Sequence, residues 1–376
     1  MTSGRRPRIV FASTVSGFGG AEKVLLDLAT HLESGIEAIL LAPEGSPILS
    51  PEHVGSNLRV ATYPPNRLGS VFTIRRLRRA LLALEPDLIL FNLPGPFDAH
   101  RTLGLMALFP RRIPILTLNH LTDTPPWRRI KLQKRITQLG VRLNLAITEA
   151  GAEQLVRLYG LRKEKVEVLR LGVAETPPGA EERGQELRTH LGLGPEDRLA
   201  LFLGRLGEQK QPGHLIRVAA RTTDPRWKFA LVGDGPLRPE VERARTALAD
   251  PTRVYLAGFS LEPAAWLAAC DVLLLTSSTE GSPLVVMEAF RQGKPVLTYP
   301  FAAVGEMMED GVEGRIIPSA EPEAMAAVLD DLVASPARLA EMGRAARARY
   351  ESAFRLESNV RHFEEICERF LSPRPR

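Results

Sequence analysis

Cysteine is scarce in this 376-residue chain, and long apolar runs are missing from it. Its two cysteines, Cys270 and Cys367, cannot build the disulfide framework on which small secreted domains depend. No segment approaches the roughly 20 consecutive apolar residues of a membrane-spanning helix, and the polar residues 1–8 precede an apolar run too short for a secretory signal. These absences exclude disulfide-rich and membrane-spanning classes, so we expect a cytoplasmic protein with Cys270 buried as a small apolar residue.

Patterns that hold metal ions are missing as well. The chain contains no Asp-x-Asp triplet, which is the usual sequence sign of a divalent cation bound to a nucleotide diphosphate. Its seven histidines and two cysteines show no metal-ligand spacing either. We therefore expect neither a metal nor another cofactor.

The residues that are present are typical of a soluble globular protein, with 44% hydrophobic and 25% charged side chains. At this length two domains are expected rather than one. The charge is divided unevenly: residues 1–172 hold 24 Lys+Arg against 14 Asp+Glu, a net of +10, whereas the remainder holds 25 against 30, a net of −5. The two halves therefore have different electrostatic tasks.

Strand-like apolar runs alternate with helical patterns, which predicts parallel sheets covered by helices on both faces. The predicted strands are 8–12, 36–41, 58–61, 87–91, 113–118, 143–148 and 166–169, then 198–203, 228–232, 253–257, 271–275, 295–298 and 314–317. Helices are predicted at 21–33, 72–84 and 148–159 and from about residue 322 onwards, with a linker at 171–184. The fold class is therefore α/β, with two doubly wound Rossmann-like domains that bind ligands at the carboxyl ends of their strands, in a cleft between them.

Two glutamates eight positions apart, Glu280 and Glu288, form the most informative motif. Glu280 follows the predicted strand 271–275, and Ser282 and Pro283 are typical of a helix start that places Glu288 about one and a half turns further on. The free N–H groups of such a start stabilise an anion such as a phosphate. A carboxylate on each side of that anion suits a sugar nucleotide, which has hydroxyls at both ends. The alternative is a solvated loop residue and a helix-surface residue.

A pair of cations follows the first predicted strand of the second half. Arg205 and Lys210 come after strand 198–203, and a helix is predicted to start near Pro212. Arginine offers a planar fork of donors and lysine a compact charge, a combination suited to a diphosphate. The alternative is two ordinary surface cations.

Glycine-rich loops follow three other predicted strands. Gly19 and Gly20 allow a backbone to approach a ligand, while Glu22 replaces the third glycine of the dinucleotide fingerprint. Because an acid there repels a pyrophosphate, nicotinamide and flavin sites are excluded; Glu22 serves a ligand or complements the helix N-terminus. The loops 233–236 and 257–259 also follow strands, and their alternatives are an ordinary turn and a core aromatic.

These motifs resemble those of the retaining glycosyltransferases of family 4 and stand in family order. They are Gly-Gly-x-Glu at 19–22, Gly-Arg-Leu…Lys at 204–210, Gly-Asp-Gly-Pro at 233–236 and E-x7-E at 280–288. The resemblance covers nearly the whole chain, closely in the second half and loosely in the first. It implies a GT-B architecture with an acceptor-side domain of residues 1–172, a donor domain of residues 173–352, and a last helix within 353–376 that crosses back to the first domain.

The resemblance also implies roles for individual residues. In the second domain Glu280 is expected to contact the transferred sugar, and Glu288 the ribose. Arg205 and Lys210 are expected to bind the donor diphosphate and to do the task of a metal. The other implied donor-site residues are Gly204, Gly233, Asp234, Phe259, Gly281, Ser282, Pro283 and Leu284. The implied acceptor-side residues are Gly19, Gly20 and Glu22.

His120 lies at the carboxyl end of strand 113–118, where family 4 members often carry a histidine near the donor sugar. As a hydrogen-bond donor it is expected to orient the sugar, and as an imidazolium to stabilise leaving charge. The alternative is a structural histidine. No base stands beside a Ser or Cys nucleophile. A retaining transfer is therefore expected to use same-face attack, with the leaving phosphate accepting the acceptor's proton.

The positive charge of the first half is concentrated in two amphipathic segments, 125–142 and 74–82. The first holds six basic and no acidic residues, among them Arg128, Arg129 and Lys131. Two interpretations stay open: binding to the anionic inner face of a membrane that bears a lipid-linked acceptor, or an apolar stripe packed on the sheet with solvated charges. Nucleic-acid binding is not expected, because no stacking aromatics interleave these charges.

The sequence therefore predicts a metal-independent retaining enzyme that moves a sugar from a UDP- or GDP-sugar to a hydroxyl of a glycan, a glycolipid or a natural-product glycoside. One alternative is a sugar-nucleotide isomerase or epimerase on the same architecture, which needs acid and base residues in both domains and is disfavoured by the Glu280 and Glu288 pattern. Another is a non-enzymatic membrane-surface protein with a degenerate nucleotide fold. That protein would not be stabilised by a donor.

Overall fold

The computed structural model of the protein describes residues 5–15, 17–33, 35–51, 54, 58–64, 71–95, 113–120 and 140–371, with residues 71–74 described for their backbone alone. The chain divides into two compact units. The first is Met1–Leu171 with Leu356–Arg376, and the second is Gly172–Arg355.

The first unit is built on a seven-stranded sheet in which all neighbouring strands are parallel. The strands are β1 (Arg8–Ala12), β2 (Glu37–Pro43), β3 (Arg59–Tyr63), β4 (Leu88–Leu93), β5 (Ile115–Asn119), β6 (Leu143–Ala146) and β7 (Val166–Val168). Their order is β3-β2-β1-β4-β5-β6-β7. Every residue of β4 and β5 is buried, because helices cover both faces of such a sheet.

The second unit repeats this plan with a six-stranded parallel sheet. Its strands are β8 (Arg198–Leu203), β9 (Trp227–Val232), β10 (Val254–Gly258), β11 (Val272–Leu275), β12 (Val296–Thr298) and β13 (Gly314–Ile316), in the order β10-β9-β8-β11-β12-β13. In both sheets the order reverses beside the first strand, at β1/β4 and at β8/β11, and ligands bind at such switch points. The predicted doubly wound α/β class is confirmed. Both ends of each predicted strand lie within two residues of the ends of an observed strand.

Helices connect the strands. Those of the described residues are α1 (Gly20–Thr30), α2 (Val71–Ala83), α3 (Glu149–Arg157), α4 (Ala180–His190), α5 (Gly213–Arg221), α6 (Arg238–Thr246), α7 (Pro263–Ala269), α8 (Leu284–Arg291), α9 (Val304–Met307), α10 (Pro322–Val333), α11 (Pro336–Ala353) and α12 (Leu356–Leu371). The predicted linker 171–184 is wrong at its end, because α4 begins at Ala180. Gly184, which resembled a linker residue, packs on α7: a β-carbon there would lie 2.6 Å from that of Ala268.

The last helix, α12, packs within the first unit. The ring of Phe363 lies 5.8 Å from that of Phe11 in β1, and Asn359 donates a hydrogen bond to the carbonyl of Arg170. α12 therefore covers β1 although it lies at the other end of the chain.

Apolar side chains of the basic segment 74–82, in α2, pack within the first unit. Leu77 and Leu81 are buried in the core of the first sheet, whereas Arg75, Arg76 and Arg79 are exposed. For this segment the packed apolar stripe is confirmed. Residues 125–139, with Trp127, Arg128, Arg129, Lys131 and Arg135, lie outside the described residues.

Two further expectations concern cysteine and apolar helices. Both cysteines are buried without a disulfide, and burial raises the pKa of the Cys270 thiol to about 12. Among the helices given above, none combines the length and the apolar character needed to cross a bilayer.

Candidate functional site

The loops that follow β8 and β11 meet at the switch point of the second sheet. Ser278 N donates to Gln209 O at 2.8 Å, and Gln209 Nε2 donates to Thr279 O at 2.8 Å. The hydroxyl of Thr276 donates to Lys210 O, also at 2.8 Å. These three hydrogen bonds hold the two loops in one register.

Lys210 and Glu280 form an ion pair across these loops. Lys210 Nζ donates to Glu280 Oε1, and the two side chains are 25% and 7% exposed. Arg205, on the same loop as Lys210, is exposed and forms no side-chain hydrogen bond or ion pair with any other residue that the structure describes. The structure thus joins two motifs that the sequence identified separately, and it leaves Arg205 available to an anion.

Helix α8 starts later than the sequence predicted. Its N-cap is Pro283, in an extended conformation with φ −66° and ψ 115°, and Ser282 lies one residue before it. The predicted capping role of Ser282 is therefore wrong, and Glu288 lies about one turn into the helix. The N-cap residue, Pro283, makes no side-chain capping hydrogen bond. Its first N–H groups, next to Glu280, thus keep their capacity to bind an anion.

The carboxyl end of α8 lies where Gly293, followed by Pro295, predicts it from the sequence. Gly293 adopts φ +63°, and Lys294 N donates back to Ala289 O at 2.9 Å. This left-handed glycine closes the helix in the usual way, so the predicted stop is confirmed.

The loops after β8, β9 and β10 touch through their glycines. Gly233 N donates to Gly258 O at 2.7 Å, and a β-carbon on Gly233 would lie 1.9 Å from Gly204 O. Gly233 also has φ +142°, which favours glycine. Asp234 serves its own loop: Oδ1 accepts from Gly235 N at 2.7 Å, and Oδ2 pairs with Arg238 at 3.5 Å. These glycines bring the three strand ends together as half-buried backbone beside the Arg205 loop.

Phe259 follows Gly258 and is 72% exposed. Gly258 has φ +71°, so the chain turns out of the sheet at the end of its edge strand, β10. The core-aromatic alternative for Phe259 is therefore wrong. Its exposed ring is free to stack on a planar ligand.

Three polar side chains form a buried cluster in the first unit: Glu22 on α1, Asn92 on β4 and His120 after β5. His120 Nε2 lies 2.8 Å from Asn92 Oδ1. Asn92 Nδ2 donates to Glu22 Oε1 at 3.3 Å and to Ala21 O at 3.2 Å. Because the amide nitrogen already faces two acceptors, Asn92 Oδ1 is an acceptor and His120 Nε2 carries a proton.

His120 is neutral in this cluster, because burial lowers its pKa from 6.5 to about 3. Burial thus opposes the imidazolium form that the sequence left open, since charge on a buried ring loses its hydration, and the role of His120 stays a prediction. Asn92 was missed by sequence reasoning. Its signal was a single amide in the otherwise apolar strand LILFNL.

The glycines before α1 are less constrained than their counterparts in the second unit. Gly20 opens the helix, and Gly19 is its N-cap in an extended conformation that any residue adopts. A β-carbon on Gly19 would make an ordinary contact, 3.7 Å from Glu22 Oε2. The fold therefore does not require a glycine at position 19.

No three His, Cys, Asp or Glu side chains are grouped to hold a metal ion in the described ranges. Metal independence stays a prediction.

Two protein-family models match this chain. Residues 18–176 match Glycosyltransferase Family 4, and residues 184–349 match Glycosyl transferases group 1. The chain belongs to glycosyltransferase family 4. The resemblance drawn from its motifs is thereby confirmed.

This family 4 protein has curated relatives in several species of Streptomyces. D-inositol 3-phosphate glycosyltransferase of Streptomyces avermitilis is 33% identical over 246 residues, which cover 62% of this chain and 53% of the relative. The protein of the same name from Streptomyces coelicolor is 31% identical over 262 residues, covering 63% and 57%. The chain spans about half the length of the curated relatives it matches.

Solved structures resemble the family 4 protein over nearly its whole length. HepE of Anabaena, in complex with UDP and glucose, has a TM-score of 0.82 at 22% identity, covering 97% of this chain and 100% of HepE. Sucrose-phosphate synthase of Thermosynechococcus elongatus has a TM-score of 0.76 at 17% identity, covering 97% and 99%. These similarities confirm the GT-B fold.

Proposed function

We propose that this family 4 protein is a retaining glycosyltransferase that moves a sugar from a nucleoside diphosphate sugar to a hydroxyl acceptor. The observation that carries the proposal is the contact between Lys210 and Glu280 beside the exposed Arg205. These are the residues to which the family resemblance gives the diphosphate and the sugar, and they meet at a switch point where α/β sheets bind ligands.

The donor is proposed to bind along the strand ends of the second unit. Arg205 and Lys210 hold the diphosphate, and Glu280 accepts hydrogen bonds from the sugar. Glu288 binds the ribose hydroxyls, and the exposed Phe259 contacts the base. The uncapped start of α8, with Gly281, Ser282 and Leu284, adds N–H donors for a phosphate. Gly204, Gly233 and Asp234 shape the adjoining loops.

UDP is the first nucleotide to test, because HepE, which shares the fold, is described in complex with UDP and with UDP-glucose. GDP is the second. For the acceptor, the curated relatives add D-inositol 3-phosphate to the glycans and lipid-linked acceptors already expected.

In the proposed reaction the bond between the anomeric carbon and the phosphate oxygen breaks, and the acceptor oxygen bonds to that carbon from the same face. The acceptor's proton passes to the leaving phosphate, so the second product is a nucleoside diphosphate. Arg205 and Lys210 offset the charge that builds on the leaving phosphate, which is the task of a metal elsewhere.

The first unit keeps the roles that the resemblance implies. His120 is proposed to orient the sugar as a neutral ring, and Gly19, Gly20 and Glu22 are proposed to serve the acceptor side. Glu22 and His120 support each other through Asn92.

A thermal-shift screen with UDP-, GDP-, ADP- and dTDP-sugars tests the donor. A ligand at 100 times its Kd stabilises the folded state by about 2.7 kcal/mol, so the true donor raises Tm clearly. Arg205→Ala is expected to abolish that rise without lowering the Tm of the free protein. The anomeric configuration of the product, read by NMR, tests retention. If none of the four nucleotide sugars raises Tm, that result contradicts the proposal.

A further inference from the structure

Glu280 neutralises a cation of the proposed diphosphate site. Its buried carboxylate accepts a hydrogen bond from Lys210, and Arg205 has no acidic partner in the ranges described above. Before a ligand binds, therefore, one of the two positive charges offered to a diphosphate is already compensated.

The backbone keeps this pair in place. Thr276 Oγ1 binds the carbonyl of Lys210 at 2.8 Å and lies 3.2 Å from that of Gln211. A phosphate that binds Lys210 therefore binds close to Glu280. Two oxygens that share one ammonium lie within roughly 6 Å of each other, because each hydrogen bond spans about 2.8 Å.

Free nucleoside diphosphates and nucleotide sugars differ in charge at this point. The terminal phosphate of a free diphosphate carries about one more negative charge near neutral pH than the same phosphate esterified to a sugar. The sugar ester instead offers hydroxyls that donate hydrogen bonds to Glu280. Like charges about 6 Å apart, at an effective dielectric constant of about 20, change a binding constant by roughly a hundredfold.

We propose that Glu280 makes this site selective for the nucleotide sugar over the free nucleoside diphosphate that the reaction releases. Its charge repels the product and favours product release, while its oxygens accept hydrogen bonds from the donor sugar. The inference rests on the proposed function, because it requires a nucleotide-sugar donor at this site. It concerns binding equilibria, which are measured without turnover.

The test is calorimetric titration of the full chain with UDP, UDP-glucose and UDP methylated on its terminal phosphate, with the corresponding GDP compounds and GDP-mannose in parallel. The methyl ester removes the extra charge and adds no sugar hydroxyl. The extra charge of the free diphosphate is also attracted by Arg205 and Lys210, so the effect of Glu280 is measured as a change between proteins. In Glu280→Gln, which keeps size but loses charge, the ratio of free-diphosphate affinity to ester affinity is expected to be at least about tenfold higher than in wild type. In wild type, UDP-glucose is expected to bind at least about tenfold more tightly than the ester of equal charge, because only the sugar donates hydrogen bonds to Glu280.

Glu208→Gln is the matched control. It removes the same charge from an exposed position two residues before Lys210, and we expect it to leave the ratio of ester to diphosphate affinity unchanged. The comparison of UDP-glucose with the ester uses wild type alone, so a folding defect in Glu280→Gln leaves the inference testable. UDP-glucose that binds wild type no better than the ester overturns it, as does an unchanged ratio of diphosphate to ester affinity in Glu280→Gln. Failure of wild type to bind any of these nucleotides overturns the proposed function as well.

Discussion

The Nε2–H group of His120 donates to Asn92 Oδ1 at 2.8 Å, and the amide of Asn92 in turn donates to Glu22. This chain of hydrogen bonds assigns one tautomer to the histidine, because the amide oxygen accepts but cannot donate. Burial of the ring lowers its pKa and so favours its neutral form. The orientation of this ring therefore depends on Asn92, a residue on a neighbouring strand.

His120 is expected to make the protein acid-sensitive. Its pKa is 6.5 when unfolded and about 3 when folded, so the unfolded state binds more protons between those values. The contribution is complete above pH 6.5 and is lost as the pH falls. Between pH 7 and pH 5 wild type should lose about 2 kcal/mol more free energy of unfolding than His120→Gln does. Urea unfolding at both pH values measures this, and equal losses in the two proteins contradict it.

Removing Asn92 is expected to weaken the first unit. Asn92→Ala leaves the buried side chains of Glu22 and His120 without the hydrogen bonds that it makes to each of them. Such losses cost roughly 1–3 kcal/mol each, so the free energy of unfolding should fall by about 2 kcal/mol or more. Asn119→Ala is a comparison in the next strand whose amide binds Thr117 and Leu145 rather than the cluster. Only Asn92→Ala should change the ring nitrogen shifts of His120 in NMR spectra, and unchanged shifts argue against the assignment.

Gly233 and Gly204 are in contact, and this contact leaves no room for a side chain at position 233 but does leave room at position 204. A β-carbon on Gly233 would lie 1.9 Å from the carbonyl oxygen of Gly204, whereas one on Gly204 meets no atom within 4 Å among the described residues. Gly233→Ala is expected to lower the free energy of unfolding by about 3 kcal/mol, and Gly204→Ala by less than about 1 kcal/mol. Urea denaturation of the two variants measures the difference. Similar losses would mean that the loops do not meet as described.

Gln211 is a strained residue, since it adopts φ +47° without being a glycine. Its Oε1 is buried and has no hydrogen-bond partner in the described structure. Gln211→Gly is expected to raise the free energy of unfolding by about 1 kcal/mol, because the left-handed conformation costs an L-residue about that much. Glu208→Gly, in the 3₁₀ turn just before it, should lower it by about 0.5–1 kcal/mol. Thermal melts compare the two, and destabilisation by Gln211→Gly runs against the argument.

Replacing Arg205 or Lys210 should have a similar effect on the transfer rate but a different effect on the stability of the protein. Arg205→Ala and Lys210→Ala are each expected to lower the transfer rate by about 10²–10³-fold, as loss of a charge-stabilising donor does. Arg205→Ala should leave Tm unchanged, because its side chain is exposed and unbonded within the described residues. Lys210→Ala leaves the carboxylate of Glu280 buried and unpaired and should cost about 2 kcal/mol. Replacing both members of the pair, as in Lys210→Met with Glu280→Gln, should recover part of that loss of stability. If the double variant recovers none of it, the stabilising contribution of Lys210 does not come from its pairing with Glu280.

The sequence by itself determined the strands and the class of fold. Strands buried on both faces need continuous apolar runs, and such runs mark β8 at 198–203 and β1 at 8–12 to the residue. The glycine that ends α8 is equally local, because only the backbone of Gly293 decides its left-handed turn. These features depend on neighbours along the chain, so a linear pattern is enough to predict them.

Tertiary structure alone decided which functional groups touch. Lys210 and Glu280 are 70 positions apart, and they meet because β8 and β11 are adjacent in the sheet. Asn92 contacts Glu22 and His120 because the fold places β4 beside α1 and β5. Phe259 is exposed because it follows β10, which is an edge strand. Strand order depends on how whole layers pack, a non-local free energy that no short stretch of residues carries. The charge state of His120 and the partner of Glu280 follow from that packing.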